Sequence, residues 1–214
     1  MSVPKIEPLL SDVRVIPVLV LEDRETALPL AEALLAGGLR VLEVTLRSPA
    51  ALACTELLAT RLPEALIGVG TLTRPEQFGQ ARDAGARFLV SPGLTPRLAE
   101  AASACALPYL PGVATVSEAL AARELGFFEQ KFFPAALSGG AKALKGMAPL
   151  LPDIRFCPTG GLSAADIREM LSLPNVFALG GGWLAPVALV RERRWRDIEQ
   201  LAREAAQACP AQRV

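Results

Sequence analysis

The chain has 214 residues, of which 51% are hydrophobic, and its 22 basic and 22 acidic residues give a net charge of zero. This length predicts one domain over residues 1–214 with a large core, and the balanced charge argues against a broad surface for nucleic acid or anionic lipid. No apolar run has membrane length, and the amino-terminal sequence lacks the pattern of a signal peptide. We therefore expect a cytoplasmic protein without nucleic-acid or membrane partners.

Short runs rich in valine, isoleucine, leucine and phenylalanine alternate with longer segments of helical composition. The strand-like runs cover residues 14–21, 40–46, 66–71, 87–92, 108–113, 129–134, 154–160 and 176–182. The helix-like segments cover residues 25–36, 49–60, 75–84, 96–105, 116–124, 139–147, 163–171 and 192–208. Strict alternation over eight units predicts a parallel sheet with helical crossovers.

Eight such units favour an α/β fold of the (β/α)8 TIM-barrel class, with a short helical segment before the first strand. An open doubly wound sheet is the alternative. The first strand is not followed by GxGxxG, which argues against the dinucleotide-binding form of that alternative.

Proline and glycine mark several helix boundaries. Ser48 is predicted as the N-cap of the second helix with Pro49 at its first position, and Pro75 and Pro96 are predicted to begin later helices in the same way. The glycine pair at 37–38 is predicted to end the first helix.

The chain contains no histidine, which excludes Ser-His-Asp triads and HExxH zinc sites. Its four cysteines form no CxxC pair, so we interpret them as reduced structural residues rather than a zinc or redox motif. Proton transfer in an enzyme of this composition falls to Glu, Asp, Lys, Tyr, Cys or water. Lysine is scarce, and only Lys131 lies in a predicted strand.

The second strand, VLEVTLR, carries polar residues on one face. Side chains alternate along a strand, so Leu42 and Val44 share the face opposite Glu43, Thr45 and Arg47. We expect the apolar face to meet the helices and the polar face to point into the barrel, where an acid is costly unless it is paired or used. A structural alternative is a Glu43–Arg47 ion pair that fills the barrel mouth.

The sixth strand, EQKFFP, places Lys131 and Phe133 on one face, and both are expected to point inward. Burial disfavours the charged form of a lysine, and a neutral amine is a nucleophile. An internal Glu43 beside it favours a Schiff-base lysine with a carboxylate proton shuttle. The alternatives are that Lys131 reaches solvent or pairs with Glu43 for structure alone.

The remaining strand ends carry glycine, proline and threonine. The third strand ends in GVGT, whose glycines are expected to let a ligand approach closely beside Thr71, unless a turn requires them. The fourth ends in SPG, which supplies a rigid wall. The seventh and eighth end in PTGGLS and GGGW, and glycine-rich loops after these two strands are the usual phosphate site of a barrel.

These segments occur together in a known order. RVLEVTLR, GVGT, SPG, KFFPA followed by GG, FCPTGG and GGGWL resemble the bacterial 2-keto-3-deoxy-6-phosphogluconate (KDPG) aldolases in order and spacing, from about residue 14 to residue 206. The resemblance implies a homotrimeric class I aldolase that needs no metal or organic cofactor. It implies cleavage of 2-dehydro-3-deoxy-6-phosphogluconate to pyruvate and glyceraldehyde 3-phosphate in the Entner–Doudoroff pathway. It also implies cleavage of 4-hydroxy-2-oxoglutarate to pyruvate and glyoxylate.

The resemblance also assigns roles to matching positions. It implies that Lys131 forms the Schiff base and that Glu43 is the general acid and base. The residues implied to bind the phosphorylated 2-keto acid are Arg47, Thr71, Pro92, Phe133, Thr159, Gly160, Gly161, Gly181 and Gly182. The first four match pyruvate contacts and the others match the phosphate loops. Where the family often has GGSW, this chain has GGGW, so the backbone N–H of Gly182 remains but a serine hydroxyl is lost.

Other classes of function remain as alternatives. A metal-dependent class II aldolase would want histidine ligands, and a barrel isomerase or synthase would leave the buried lysine unexplained. A non-catalytic phosphosugar-binding barrel would not need Lys131 and Glu43 together. Within the family, the nearest alternative is the aldolase for the C4-epimeric, galactonate-derived substrate. The polar Thr159, where a substrate hydroxyl could meet it, favours the gluconate form.

Overall fold

The structure, a computed structural model, describes residues 4–10 and 14–210. The strands are β1 (Val15–Leu19), β2 (Val41–Thr45), β3 (Leu66–Gly70), β4 (Phe88–Val90), β5 (Tyr109–Leu110), β6 (Gly112–Val113), β7 (Glu129–Phe132), β8 (Arg155–Pro158) and β9 (Leu179–Gly181). The helices are α1 (Arg24–Ala36), α2 (Ala51–Arg61), α3 (Glu76–Asp83), α4 (Pro96–Cys105), α5 (Val116–Glu124), α6 (Gly140–Met147), α7 (Ile167–Ser172), α8 (Val187–Arg191) and α9 (Trp195–Ala208). Short 3₁₀ turns cover Glu7–Leu9, Ala164–Asp166 and Gly182–Leu184.

The strands form a closed parallel barrel. One sheet has the order β5-β4-β3-β2-β1-β9, and the other has the order β6-β7-β8. The Thr159–Gly180 bridge joins the end of β8 to β9. The predicted fifth strand is divided into β5 and β6 at Pro111, which has no N–H to donate but whose carbonyl accepts the N–H of Lys131 at 2.8 Å. The (β/α)8 barrel is therefore confirmed, and the open doubly wound sheet is excluded.

Two apolar clusters lie on opposite faces of this barrel. The inner cluster consists of Ile6, Ile16, Val41, Phe88, Val90, Leu110, Cys157, Phe177 and Ala178. The outer cluster lies between the strands and the helices and includes Leu42 and Val44. The alternation predicted for β2 is thus observed, and it turns Glu43 and Thr45 inward.

The amino-terminal segment packs against the amino end of the barrel. Its 3₁₀ turn, Glu7–Leu9, confirms the predicted short helical segment, and Ile6 is fully buried in the inner cluster. The Glu129 carboxylate, at the start of β7, accepts the backbone N–H groups of Ile6 and Glu7. Burial raises the pKa of Glu129, and these hydrogen bonds oppose the shift. Because this end is occupied, ligands must enter at the carboxyl ends of the strands.

The predicted helix boundaries agree only in part. Pro96 is the first residue of α4, and the Thr95 side chain caps that helix. Pro75 is the N-cap of α3 rather than its first residue. The prediction for Ser48 is wrong, because α2 begins at Ala51 and the Ser48 hydroxyl instead donates to the carbonyl of Leu21. That hydroxyl therefore joins the end of β2 to the segment after β1.

None of the helices among the described residues combines the length and hydropathy needed to cross a bilayer.

Candidate active site

Lys131 and Glu43 form a buried ion pair inside the barrel. Nζ of Lys131 lies 3.1 Å from Oε1 and 3.5 Å from Oε2 of Glu43, and their side chains are 6% and 4% exposed. Lys131 lies on β7 and Glu43 on β2, which face each other across the ring of strands. The alternative in which Lys131 reaches solvent is therefore wrong. A buried ion pair can have a structural role or a catalytic one. Burial removes both charges from water, and this desolvation costs free energy that their attraction must offset.

The two phenylalanines that follow Lys131 point to opposite faces of β7, so only one of them contacts the lysine. Phe133 shares its face, and Nζ lies 5.3 Å from the centroid of the Phe133 ring, which is cation–π distance. Phe132 points the other way and packs edge-on against Phe156 in the outer cluster. The predicted inward orientation of Lys131 and Phe133 is confirmed.

The two glycines of β3 make room for side chains of the barrel, whereas we expected them to make room for a ligand. A Cβ at Gly68 would lie 2.2 Å from the Phe88 ring. A Cβ at Gly70 would lie 2.0 Å from Oε1 of Glu43. Such contacts are far inside van der Waals distance, so Gly70 is what lets the Glu43 carboxylate lie where Lys131 meets it. The sequence signal was the glycine pair itself, but which side chain it accommodates depends on the neighbouring strands.

Gly70→Ala is expected to lower the free energy of unfolding by about 1–3 kcal/mol, as overpacking of a core does. It should also reduce the aldol cleavage that the sequence resemblance implies, because the Glu43 carboxylate is displaced. The matched control is Gly79→Ala in α3, where nothing lies within 4 Å of the added Cβ. That change should leave activity intact and stabilise the helix slightly. Urea unfolding and a cleavage assay measure both. A Gly70→Ala protein as stable and active as the parent would contradict this account.

Arg47 does not pair with Glu43. The Arg47 side chain is exposed, and its Nε donates to the hydroxyl of Thr45 at 3.1 Å. None of the ion pairs found among residues 4–10 and 14–210 includes Arg47. The Glu43–Arg47 ion pair is therefore wrong, since the carboxylate is held by Lys131. The guanidinium remains at the carboxyl end of β2, where a ligand can reach it.

Thr71 and Pro92 follow β3 and β4 at the same edge of the barrel. Thr71 has a positive φ of 64°, a conformation that side-chain-bearing residues rarely adopt and that is often associated with functional sites. Pro92 is half-buried, and the loop it begins lies close to β6. A Cβ at Gly112 would lie 2.2 Å from the Pro92 carbonyl carbon. Both residues are thus at the predicted edge, and among the described residues no hydrogen bond or ion pair joins them to the Lys131–Glu43 pair.

The loops after β8 and β9 lie side by side. Gly160 and Gly161 have φ values of 97° and 74°, which glycine adopts without strain. The side chain of Thr159 is buried, and its hydroxyl donates to the carbonyl of Cys157 at 3.3 Å. Gly180 accommodates it, because a Cβ there would lie 2.5 Å from Oγ1 of Thr159.

Gly181 and Gly182, which follow the Thr159–Gly180 bridge, differ in their surroundings. A Cβ at Gly181 would lie 1.8 Å from the Trp183 ring, so Gly181 is required by packing. Gly182 is exposed, and a Cβ there would lie 3.8 Å from the carbonyl oxygen of Val18. Gly182 therefore has room for a side chain.

Cys157 is an inner residue that the sequence reasoning missed. It pairs in register with Lys131 on the adjacent strand and is 2% exposed. Burial raises the pKa of its thiol to about 12, against the opposing positive charge of Lys131. The thiol stays protonated at neutral pH, so no thiolate beside Lys131 competes with it as a nucleophile. Cys157 and Thr159 are two residues apart, so strand alternation puts them on the same face. That pattern could have placed Cys157 inside the barrel.

The chain is similar to known proteins over most of its length. Residues 6–201 match the family model described as KDPG and KHG aldolase. The chain is 48% identical to the 2-dehydro-3-deoxy-phosphogluconate aldolase of Pseudoalteromonas atlantica over 191 residues, which cover 89% of each chain.

Two solved structures are similar over nearly the full barrel. The KDPG aldolase of Legionella pneumophila, with pyruvate captured as a covalent carbinolamine intermediate, is 44% identical with a TM-score of 0.90, covering 94% of this chain and 97% of that one. The KDPG aldolase of Zymomonas mobilis ZM4, with 3-phosphoglycerate, is 43% identical with a TM-score of 0.84, covering 91% of each chain.

Proposed function

Since this chain belongs to the family of KDPG and KHG aldolases, we propose that it cleaves 2-dehydro-3-deoxy-6-phosphogluconate to pyruvate and glyceraldehyde 3-phosphate through a Schiff base on Lys131. It is a carbon–carbon lyase of class I. The observation that carries the assignment of residues is the buried contact of 3.1 Å between Nζ of Lys131 and Oε1 of Glu43. Pyruvate release, coupled to NADH oxidation by lactate dehydrogenase, measures the activity.

The reaction uses the lysine as nucleophile and electron sink. The neutral amine of Lys131 attacks the C2 ketone, and loss of water from the carbinolamine gives a protonated imine. Removal of the proton on the C4 hydroxyl lets the C3–C4 bond break, which releases glyceraldehyde 3-phosphate and leaves an enamine on Lys131. Protonation of C3 and hydrolysis of the imine release pyruvate and restore the amine.

Glu43 moves the protons in this scheme. Its carboxylate lies beside Nζ, where it can accept a proton from the attacking amine. It takes the proton from the C4 hydroxyl, directly or through a bound water, and returns one to C3. With Cys157 held protonated by burial, the Glu43 carboxylate is the base that lies beside Lys131.

The two ends of the substrate need different partners. Arg47 binds the carboxylate with its guanidinium, a geometry suited to two parallel hydrogen bonds. Thr71, Pro92 and Phe133 line the pyruvate portion. Backbone N–H groups of the loops after β8 and β9 bind the phosphate. These loops meet at the Thr159–Gly180 bridge, which supports a shared anion site.

The same lysine and carboxylate can also cleave 4-hydroxy-2-oxoglutarate to pyruvate and glyoxylate, because the bond broken lies at the same place relative to the ketone. For the phosphorylated substrate we favour the gluconate configuration at C4 over the galactonate one. Thr159 supports this choice as a hydroxyl near the barrel mouth. Comparing kcat/KM for the two epimers decides it, and a preference for the galactonate-derived substrate would reverse the assignment.

Gly182→Ser is expected to lower KM for the phosphorylated substrate. A hydroxyl there would add one hydrogen bond to a charged group, which contributes about 1.5–3 kcal/mol, and the space around Gly182 admits the side chain. KM for 4-hydroxy-2-oxoglutarate should stay nearly unchanged, since that substrate has no phosphate. Steady-state kinetics with both substrates measure this. Equal effects on both would mean that the loop after β9 does not bind phosphate.

We also infer a homotrimer of single-domain subunits that works in the cytoplasm. Several large apolar side chains are exposed, led by Leu137 at 89% and Leu150 at 64%, and burial between subunits would remove them from water. All four cysteines are free thiols, as is usual in a reducing compartment. Light scattering during size exclusion tests the trimer, and a monomeric mass would rule it out.

A further inference from the structure

The hydroxyl of Thr45 connects the first strand of the barrel to the side chain of Arg47. Oγ1 of Thr45 donates to the carbonyl of Leu19, at the end of β1, at 2.7 Å. The same oxygen accepts Nε of Arg47 at 3.1 Å. Thr45 is 1% exposed, whereas Arg47 is exposed. The buried Thr45 therefore fixes the Nε end of the exposed Arg47 guanidinium.

The direction of these two hydrogen bonds is set by their partners. A hydroxyl has a single hydrogen, and a backbone carbonyl can only accept, so that hydrogen points at Leu19. Only a lone pair of the oxygen is left to face Nε of Arg47. The backbone N–H of Arg47 also donates to the carbonyl of Thr45 at 2.8 Å. Both the main chain and the side chain of Arg47 are thus held by Thr45.

We propose that Thr45 is a positioning residue for the carboxylate of the substrate and acts only through Arg47. The proposal rests on the role of Arg47 proposed above. With Nε bound to Thr45, the carboxylate is left with the two terminal nitrogens of the guanidinium, which can take both of its oxygens. Thr45 selects this approach and excludes the side-on one that uses Nε.

The physical gain is pre-organisation. A free arginine side chain has many rotamers, and ordering it on binding costs free energy. Because Thr45 orders part of this side chain before the substrate arrives, less of that cost falls on binding. The effect should appear in affinity for the carboxylate and not in the chemistry at C2.

Thr45→Val keeps the shape of the buried side chain and removes both hydrogen bonds. The measured quantity is the ligand concentration that gives half-maximal borohydride trapping, with pyruvate and with methyl pyruvate, which has the same ketone but no charged carboxylate. We expect this concentration to rise about tenfold or more for pyruvate, as loss of a hydrogen bond that orders a charged group implies. For methyl pyruvate it should not change. Thr45→Ser, which keeps the hydroxyl, should restore the value for pyruvate.

A double-mutant cycle shows whether Thr45 acts through Arg47. Arg47→Met removes the cation from an exposed position. In that background Thr45→Val should have no further effect on pyruvate, because the group it positions is gone. A tenfold effect that persists without Arg47, or an equal effect on methyl pyruvate, would overturn the proposal. If Thr45→Val does not fold, Arg47→Lys provides a second test of the proposal. It keeps the charge without the fork, and unchanged pyruvate binding would also overturn the proposal.

The same measurements separate this proposal from its premise. If the parent protein traps neither ligand, the Schiff base on Lys131 fails. If Arg47→Met leaves pyruvate binding unchanged, the role of Arg47 fails. Either result overturns the positioning role as well. If Arg47→Met weakens pyruvate binding and Thr45→Val does not, the positioning role alone fails and the proposed function stands.

Discussion

Borohydride reduction in the presence of pyruvate is expected to attach a pyruvate-derived adduct to Lys131 and to no other lysine. Lys131 is the buried lysine of the chain, beside Glu43 at 3.1 Å, whereas Lys5, Lys142 and Lys145 are exposed. An exposed lysine lacks the desolvated surroundings that activate a lysine as a nucleophile. Digestion and mass spectrometry locate the adduct. An adduct on Lys142 or Lys145, or none at all, would remove Lys131 from the mechanism.

Replacing the lysine should abolish cleavage. Lys131→Arg keeps a positive charge next to Glu43 but cannot form an imine, so we expect kcat/KM to fall by a factor on the order of 10⁶, as with loss of the nucleophile in other covalent enzymes. Lys142→Arg and Lys145→Arg are the matched controls, since both side chains are exposed on α6. They should keep full activity. Thermal unfolding confirms that the Lys131→Arg protein is folded.

Glu43→Gln is expected to slow proton transfer by about 10²–10⁴-fold, the usual contribution of general acid–base catalysis. The amide keeps the volume of the carboxylate and can still accept a hydrogen bond from Nζ of Lys131, but it cannot take a proton. The measurement is exchange of the pyruvate methyl protons in deuterium oxide, followed by NMR. The variant should still trap pyruvate with borohydride, although slowly.

The control for Glu43 is another buried carboxylate. Glu129 is 6% exposed at the opposite end of the barrel and binds the backbone N–H groups of Ile6 and Glu7. Glu129→Gln should leave methyl exchange unchanged. If Glu43→Gln exchanged the methyl protons at the parent rate, the Lys131–Glu43 pair would be structural only, the alternative that the sequence left open.

Strand alternation correctly predicted which side chains of the second and sixth predicted strands point into the barrel. The period of two in VLEVTLR correctly placed Leu42 and Val44 against the helices and Glu43 inside the barrel. The same reasoning placed Lys131 and Phe133 on one face. Local capping was less predictable. Ser48 had the residue types of an N-cap around it, yet its hydroxyl bonds to Leu21 on the preceding connection, a partner that local sequence does not reveal.

Sequence by itself determined the number of strand–helix units, the face each strand turns inward and the two residues suited to Schiff-base chemistry, because these follow from period and side-chain type. Only the tertiary structure decided which groups meet. Glu43 pairs with Lys131, 88 residues away, and not with Arg47, four residues further along the chain just after β2. The reason is closure of the barrel. An eight-stranded ring is narrow enough for side chains of opposite strands to touch across it, and Gly70 clears the space that the Glu43 carboxylate fills.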